Sequence, residues 1–387
     1  MLTLPNEQRN FNLLSLKTNY DVVILGGGPA GLAAAISILQ QMKLSVLVVE
    51  SKSAEHERIG ESCPPETLFL LEKLASTKAF HGDNHARCPG FASVWGKGDV
   101  GYNDFIVNPL GAAWRLNRKK FDQMLADKAI SKGAEIPPSL RFIDARKIQH
   151  ENGYSLSLMS TIDKSAHAVE ARFVIDATGS SAHFAKSIGV EKKVEDQLYA
   201  AVRFSTLVDG HISKQVLLEA TENGWWYNAL LPDNRIVSMM VTEKGYLSAL
   251  RENNYQGFSG ALRASNFIGP TLRSLTMQNH QYHVWPIYSG LLTRIEGADW
   301  VAIGDAASSY DPIVAQGIYK GLSDGIDAAN KVVSVFKKFQ AKEQNTFSQQ
   351  VKHRYQLYLQ NRAHLYALEQ RWPTASFWLN RELKMPY

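Results

Sequence analysis

An α/β fold is predicted by this sequence of 387 residues, with a mostly parallel sheet interrupted by an inserted antiparallel sheet and followed by a helical C-terminus. Three observations carry the prediction. A strand, a glycine-rich turn, a helix and a second strand follow one another between residues 21 and 50. Two later apolar segments end in Asp176 and in Gly304-Asp305, as parallel strands of the same sheet would. Between residues 196 and 290, apolar and polar residues alternate as they do in antiparallel strands.

The glycine-rich turn has the spacing of a dinucleotide-binding site. The run DVVIL, typical of a buried strand, leads into Gly26-x-Gly28-x-x-Gly31, which opens an apolar helix. A backbone that approaches pyrophosphate closely needs residues without Cβ, and the helix N-terminus supplies N–H groups. The second strand, LSVLVVE, ends in Glu50, whose carboxylate can accept hydrogen bonds from a ribose. A Rossmann-like unit is predicted, with the cofactor-binding residues Gly26, Gly27, Gly28, Ala30, Gly31, Glu50 and Ser51.

Two distant segments identify the dinucleotide. ARFVIDATGSS places Asp176 after an apolar strand, and ADWVAIGDAASSYDPIVAQGIYKG places Gly304-Asp305 after another. The second segment resembles the flavin-binding signature shared by aromatic hydroxylases and flavin-dependent halogenases. The resemblance implies a fold like that of p-hydroxybenzoate hydroxylase, with FAD held at its ribityl chain by Asp305 and at its isoalloxazine by the turn before the next helix. The implied binding residues are Asp176, Gly304, Asp305, Pro312, Gln316, Gly317 and Ile318.

A stiff elbow follows the second strand, in the stretch ERIGESCPPETLFLLEKL. Its two consecutive prolines fix the backbone angle φ and prevent a helix from starting before Glu66. The same resemblance implies that Gly-Glu-Ser, and with it Ser62, lies near the cofactor, together with Arg58 and with Arg118 at the start of a later helix. The alternative for each arginine is an exposed, solvated side chain, and the prolines also suit an ordinary helix start.

The domain boundaries follow from the order of these segments. We predict a discontinuous FAD-binding domain at residues 20–185 and 290–330, with residues 81–114 contributing to the substrate lobe. Residues 186–289 form the substrate domain, and residues 331–387 form a helical C-terminal region. Within the substrate domain the predicted strands read LYAAVRFSTLV, KQVLLEAT, GWWYNALLP, RIVSMMVT and YHVWPI, with PDNR as a turn.

Composition and charge limit the classes of partner. The net charge of +5 is modest and the basic residues are scattered, so no nucleic-acid surface is predicted. Two cysteines, Cys63 and Cys88, are too few for a disulfide framework and indicate a reducing compartment. No stretch is apolar over the roughly 20 residues that a membrane span needs, and residues 1–20 lack a secretory core. The sequence therefore predicts a cytoplasmic protein without nucleic-acid, membrane or metal partners.

The residues expected of a halogenase are not at the matching positions. In that family a lysine carries the oxidised halide and a glutamate positions the substrate. The lysine position corresponds to about Arg87, whose guanidinium stays protonated and is a poor carrier, and the glutamate position corresponds to Val314. The halogenase motif of two tryptophans separated by one residue is replaced by WWYNALLP. Hydroxylation of an electron-rich ring by reduced flavin and oxygen is predicted instead, without an assigned catalytic side chain.

Narrower motifs extend the resemblance to nearly the whole chain. GESCPPETLFLLEKL, SVWG, GWWYNALLP and LEQRWPTASFWLNR look like those of the LodB and GoxB type of flavoproteins, which mature quinone-cofactor amino-acid oxidases. In that family the flavoprotein oxygenates a tryptophan of a precursor oxidase during the formation of cysteine tryptophylquinone. The resemblance implies an FAD-dependent monooxygenase whose protein substrate is a precursor amino-acid oxidase, such as a glycine oxidase, and which uses oxygen and an external reductant. Cys63 stands where leucine is more common, so no catalytic role is assigned to it.

Two other functions remain open alongside this one. A hydroxylase of a small free aromatic molecule would have a closed pocket, and a flavin-holding chaperone for the oxidase precursor would need no chemistry. If the substrate is a protein, the strand bearing Trp225, Trp226 and Tyr227 borders an open cleft and anchors the partner. The alternative is that these three aromatic residues simply alternate between core and surface.

Overall fold

The structure, a computed structural model, describes residues 16–51, 57–149, 152–338 and 346–381. Residues 1–15, which hold most of the segment assessed for a secretory core, and residues 382–387 of the predicted C-terminal region lie outside the described residues. The strands are β1 (Asn19–Leu25), β2 (Val46–Val49), β3 (Ser62–Cys63), β4 (Ala86–Cys88), β5 (Gly90–Val94), β6 (Val100–Asp104), β7 (Ala113–Arg115), β8 (Leu140–Lys147), β9 (Tyr154–Ser160), β10 (Ala166–Asp176), β11 (Lys192–Asp209), β12 (Val216–Thr221), β13 (Gly224–Leu230), β14 (Arg235–Thr242), β15 (Thr276–Leu292), β16 (Trp300–Ala302) and β17 (Ser308–Ser309). The helices are α1 (Pro29–Gln41), α2 (Thr67–Lys73), α3 (Thr77–Gly82), α4 (Arg118–Ser131), α5 (His183–Ser187), α6 (Lys244–Ala264), α7 (Ile268–Arg273), α8 (Gly317–Phe336), α9 (Phe347–Ala367) and α10 (Ser376–Leu379).

A six-stranded sheet contains the predicted strand–turn–helix–strand unit. Strands β2, β1, β10 and β16 run parallel, and β9 and β8 continue the sheet antiparallel from β10. The four residues Val22 to Leu25 of β1 have no exposed surface, as expected for an apolar strand covered on both faces. The predicted α/β unit of β1, α1 and β2 is therefore confirmed.

Helices α1 and α8 pack closely, with only alanine methyl groups of α1 at the glycines of α8. A Cβ at Gly325 would lie 2.4 Å from the carbonyl oxygen of Ala30, and one at Gly321 would lie 3.5 Å from the Ala30 Cβ. Glycine on α8 and alanine on α1 therefore allow the two helix backbones to approach closely. The start of α8 is held in this way beside the glycine-rich turn that precedes α1.

An eight-stranded sheet, in the order β17-β15-β11-β14-β13-β12-β5-β6, forms the second large sheet. Its pairs are antiparallel except for β12 and β5, which are parallel. The five strands predicted between residues 196 and 290 are confirmed as β11 to β15, and the PDNR turn joins β13 to β14. Strands β5 and β6 bring residues 90–104 into this sheet, whereas the predicted domain boundaries themselves stay a prediction.

The two faces of the eight-stranded sheet are covered by different parts of the chain. Helices α6 and α7 cover one face, where Phe258 lies edge-on to Trp226 at 5.0 Å between ring centroids. Helix α6 is interrupted at residues 252–255, whose backbone angles are not helical. The C-terminal residues Tyr366, Phe377 and Trp378 pack on the opposite face. The helical C-terminal region is therefore part of the core around this sheet.

A small sheet of β3, β7 and β4 anchors the elbow that contains the two prolines. Helix α2 begins at Thr67, after Glu66, which confirms the predicted effect of the prolines. Cys63 and Cys88 are buried on β3 and β4, the outer strands of the small sheet. A guanidinium nitrogen of Arg115 lies 3.1 Å from the Cys88 sulfur. Burial raises the pKa of the Cys63 thiol to about 12. Within the described part of the chain, no helix is long and apolar enough to cross a membrane.

Candidate functional site

A cleft of about 890 Å³ lies where the two large sheets meet. The carboxyl ends of the parallel strands β1, β2, β10 and β16 meet at one edge of their sheet, which is where open α/β sheets bind ligands. The volume is within the range of about 300–1,000 Å³ typical of ligand pockets. The predicted cofactor residues that line the cleft are Gly26, Gly28, Ala30, Glu50, Ser51, Arg58, Ser62, Arg118, Gly304, Asp305, Pro312, Gln316, Gly317 and Ile318.

The glycines of the first turn have different structural requirements. Gly26 has a φ of +115°, and a Cβ there would lie 2.1 Å from the carbonyl oxygen of Ala177. A Cβ at Gly31 would lie 2.0 Å from the Gly26 carbonyl oxygen, so this glycine serves the turn and does not line the cleft. Gly28 has an ordinary φ of −81°, and a Cβ there would have no atom within 4 Å. Its missing side chain therefore leaves open space beside the N-terminus of α1.

Glu50 connects this turn with two arginines. Its Oε2 accepts a hydrogen bond from the Gly27 N–H at 3.0 Å and lies 3.5 Å from the Arg58 guanidinium. Arg58 also contacts Asp122 at 3.2 Å. Arg118 contacts Asp122 at 3.1 Å, so both arginines are paired and largely buried. Neither arginine is the exposed, solvated side chain that was the alternative.

The start of α4, which carries Arg118, is fixed by a buried histidine. The side-chain oxygen of Asn117 accepts a hydrogen bond from the Lys120 N–H, and the backbone N–H of Asn117 donates to His85 Nδ1 at 3.1 Å. Burial, with a smaller contribution from Lys120, lowers the pKa of His85 to about 4. The neutral imidazole can therefore act as the acceptor that holds Asn117. Arg118 in turn donates to the Gly60 carbonyl oxygen at 3.0 Å, which links α4 to the elbow.

Asp176 lies beneath the cleft and does not line it. Its side chain is fully buried and accepts hydrogen bonds from the Thr178 N–H at 3.0 Å, the Thr178 hydroxyl at 2.6 Å and the Ala185 N–H at 2.9 Å. Burial raises its pKa. The expectation of direct cofactor contact is thus corrected, since the carboxyl group is buried beneath these hydrogen bonds and is not part of the cleft lining. It shapes residues 177–181, which do line the cleft.

Gly304 and Asp305 form a second turn at the cleft. Gly304 has a φ of +58°, and its N–H donates to the buried Asp324 at 3.0 Å. The Asp305 carboxylate is half exposed toward the cleft and accepts a hydrogen bond from Lys320 at 3.0 Å. The next turn ends at Ala315, with a φ of +50°, and leads into α8. The N-terminus of α8 therefore lies at the cleft, where its dipole favours negative charge.

An apolar wall closes the cleft on the side of the eight-stranded sheet. This apolar wall consists of four residues, Val237, Met239, Trp285 and Ile287, none of which was predicted as a site residue from the sequence. Tyr227 lies beside the wall, with its hydroxyl 3.1 Å from the Ser62 hydroxyl. The cleft therefore has an apolar surface with a polar border on this side.

Trp225 and Trp226 do not reach the cleft, which corrects the expectation that they face the substrate. Each is 1% exposed. Neighbouring residues of a strand point to opposite faces, so Trp226 packs beneath α6 and Trp225 packs against the C-terminal residues. Of the three predicted aromatic residues, only Tyr227 lines the cleft.

Comparison with known proteins identifies the kind of cofactor that this cleft holds. Residues 19–361 match the family described as FAD binding domain. The chain belongs to this FAD-binding family. It is 25% identical over 364 residues to the FAD-dependent oxidoreductase LodB of Marinomonas mediterranea, an alignment that covers 94% of this chain and 97% of LodB. The protein is thus an FAD-dependent oxidoreductase, and the prediction of FAD is confirmed.

Solved structures of FAD-binding proteins share the fold. The myxobacterial chondrochloren halogenase CndH superposes with a TM-score of 0.84 at 19% identity, covering 95% of this chain and 86% of CndH. The peptidyl tryptophan dihydroxylase QhpG, essential for tryptophylquinone cofactor biogenesis, superposes with a TM-score of 0.70 at 20% identity, covering 94% of this chain and 78% of QhpG. At these identities the likeness shows the fold alone, and it confirms the predicted fold class.

The described residues fit the chemistry of FAD. The open space at Gly28 beside the N-terminus of α1 suits a pyrophosphate, because N–H groups and a helix dipole are directed there.

Glu61, from the Gly-Glu-Ser stretch, was not assigned a role from the sequence. It is buried at the cleft, and its Oε1 has no hydrogen-bond partner among the residues that the structure describes. Burial raises the pKa of this carboxyl group.

Proposed function

We propose that the protein is an FAD-dependent monooxygenase that hydroxylates a tryptophan residue of a precursor amino-acid oxidase, such as a glycine oxidase, during formation of cysteine tryptophylquinone. The observation that carries the proposal is the apolar wall, which lines the same cleft as Asp311, Pro312 and the start of α8. A flat, electron-rich ring packs favourably against an apolar surface of this kind. Similarity to LodB over nearly the whole chain supports the same assignment.

The groups of FAD are assigned to separate parts of the cleft. The N–H groups at the start of α1 and the open side of Gly28 hold the pyrophosphate, and Glu50 binds a ribose. Asp305 binds the ribityl chain, and the turn ending at residues 316–318 contacts the isoalloxazine. Arg58, Arg118 and Ser62 keep the elbow against the cofactor, since their contacts tie residues 58–62 to α4 and to Tyr227.

Bound and reduced, FAD supplies the activation of oxygen for transfer to an electron-rich ring. The protein orients that ring and keeps water away. The apolar wall provides the hydrophobic contact, and Tyr227 and Ser62 form a polar border next to it. Glu61 lines the cleft and is the candidate acceptor for the proton that the ring releases when oxygen replaces hydrogen. Because burial raises its pKa, the Glu61 carboxylate is a stronger base than an exposed one.

Halogenation is the less favoured chemistry, although halogenases share the fold. None of the described residues that line the cleft is a lysine. Arg87 stacks on Trp114, with 3.6 Å between the guanidinium carbon and the ring centroid, and it is absent from the cleft lining. Val314 offers no carboxylate at the position of the halogenase glutamate.

The proposal is tested by supplying two possible substrates to the reduced, FAD-loaded protein. One is a precursor oxidase that lacks its quinone, and the other is free tryptophan. Oxygen uptake and the mass of each substrate are measured, with a precursor whose target tryptophan is replaced by phenylalanine as the control. We expect a gain of oxygen on the unaltered precursor alone. Coupled hydroxylation of free tryptophan, with the precursor untouched, would support a hydroxylase of small aromatics instead.

A flavin-holding chaperone is separated from both enzymes by the same measurement. A chaperone would promote quinone formation on the precursor without consuming oxygen in proportion to reductant. Oxidase maturation that proceeds with FAD bound but never reduced would point to that role.

A further inference from the structure

The turn at residues 311–316 is held by a carboxylate with no exposed surface. Asp311 Oδ1 accepts a hydrogen bond from the Ile313 N–H at 2.9 Å, which fixes the short 3-10 turn Pro312–Val314. The side chain of Asp311 is 0% exposed. A carboxylate removed from water in this way requires several partners, because its desolvation cost is large.

Helix α9 provides those partners from the C-terminal region. The Tyr366 hydroxyl donates to Asp311 Oδ2 at 2.8 Å, and Arg362 Nε lies 3.4 Å from the same oxygen. The hydroxyl of Tyr358 accepts a hydrogen bond from the Asp311 backbone N–H at 2.8 Å. Three residues of one helix, spaced by four positions each, therefore contact a single residue of the turn.

The chain of contacts continues into the eight-stranded sheet. The indole N–H of Trp225 donates to the Tyr366 hydroxyl at 3.0 Å. Tyr366 in turn donates to Asp311, so Trp225, Tyr366 and Asp311 form a linear series of hydrogen bonds. Arg362 is also paired with Asp196 on β11. The buried position of Trp225, which removes it from the cleft, gives it this separate connection to the cleft turn.

We infer that Tyr366 and Arg362 are positioning residues for the turn at residues 311–316, with support from Trp225. By holding this turn they set the affinity for FAD and the reduction potential of the flavin. The inference goes beyond the proposed reaction and rests only on the binding of FAD. Asp311 lines the cleft together with Pro312 and Gln316. A negative charge at this turn opposes electron uptake by a nearby flavin, and the guanidinium and the tyrosine hydroxyl compensate that charge.

The test compares two tyrosine-to-phenylalanine changes on the same helix. Tyr366→Phe removes the donor to Asp311, whereas Tyr355→Phe removes a buried hydroxyl that has no hydrogen-bond partner among the described residues. Both residues are 3% exposed, so the two variants lose the same atom at equal burial and differ in its hydrogen bonds. Trp225→Phe removes the indole N–H and retains an aromatic ring.

FAD dissociation constants are measured by fluorescence titration, and reduction potentials by equilibration with redox dyes. We expect Tyr366→Phe to weaken FAD binding about tenfold, as follows if the freed turn holds its binding conformation about a tenth of the time, and to lower the potential. Trp225→Phe should also weaken FAD binding and lower the potential, by smaller amounts. Tyr355→Phe should leave the dissociation constant and the potential unchanged. If Tyr366→Phe does not fold, Arg362→Lys is measured in its place. Wild-type affinity and potential in the folded member of this pair would overturn the inference.

Discussion

The backbone of Gly325 on α8 lies so close to Ala30 on α1 that a Cβ there would be 2.4 Å from the Ala30 carbonyl oxygen and 2.9 Å from the Ala33 Cβ. These two helices begin at the two turns on which FAD binding is expected to depend. The distance between their axes therefore controls whether both turns can contact one cofactor molecule.

Gly325→Ala should destabilise the protein and weaken FAD binding. The added methyl group must separate α1 from α8, and overpacking of this kind costs about 1–3 kcal/mol. The free energy of unfolding and the FAD dissociation constant are measured on the same preparation. Gly260→Ala on α6 is the control, since no atom lies within 4 Å of its Cβ position. It should be neutral or stabilising by up to about 1 kcal/mol. Equal behaviour of the two variants would contradict the close packing described above.

Gly28→Val should abolish FAD binding and leave the apoprotein folded. The position has an ordinary φ and no neighbouring atom within 4 Å, so the apoprotein has room for the side chain. The same side chain would occupy the space through which a pyrophosphate reaches the backbone. The melting temperature of the apoprotein and the flavin absorbance after gel filtration are measured together. A yellow variant that retains stoichiometric FAD would refute this assignment of the turn.

The free energy of unfolding should decrease as the pH is lowered from 7 to 5, because His85 is held neutral in the folded protein. Its pKa is about 4 in the folded protein and about 6.5 when unfolded, so the unfolded chain binds more protons in this interval. The stabilisation is fully present above pH 6.5 and is lost as the pH falls toward 4. Lys120 adds to the lowering of this pKa, and Asp83 lies 4.0 Å from Nε2 of His85.

His85→Asn is the comparison, since its amide oxygen can accept from the Asn117 N–H without titrating. Denaturant unfolding of FAD-saturated protein is measured at pH 7 and pH 5. Between these values the wild type should lose about 2 kcal/mol more than the variant. An identical loss in both proteins would rule out His85 as the source.

Chloride and bromide should give no halogenated product with any indole. The cleft offers no lysine among its described lining residues, and Val314 cannot supply a carboxylate. Reduced, FAD-loaded protein is incubated with oxygen, halide and tryptophan, and the products are analysed by mass spectrometry beside a known halogenase. Halotryptophan that depends on this protein would reverse the choice between halogenation and hydroxylation.

The first turn and the strands were predictable because their signals are local in sequence. Gly26, Gly28 and Gly31 have a spacing that one strand–helix connection determines, and Glu50 follows the next strand directly. Alternation in residues 196–290 identified the strands for the same reason. The predicted localisation and domain boundaries stay predictions.

The misassigned residues depend on contacts between distant segments. The pair Trp225 and Trp226 indicates two faces of a strand, but the sequence does not say that α6 covers one face and the C-terminal residues the other. Asp176 follows a strand end as cofactor residues do, yet it is buried and hydrogen-bonded to Thr178 and to the Ala185 N–H. No local pattern marks Glu61 as a site residue, because its burial depends on the pairing of the elbow with β7, more than fifty residues later.

The two buried cysteines, Cys63 and Cys88, can report when the small sheet of β3, β7 and β4 opens. Cys63 and Cys88 are at most 2% exposed on the strands that flank β7, and only a thiolate in contact with solvent reacts with an alkylating reagent. Alkylation of either thiol therefore requires an opening that exposes β3 or β4 to solvent. Comparing the alkylation rate with and without FAD would measure how strongly the cofactor keeps this region closed, with no engineered probe.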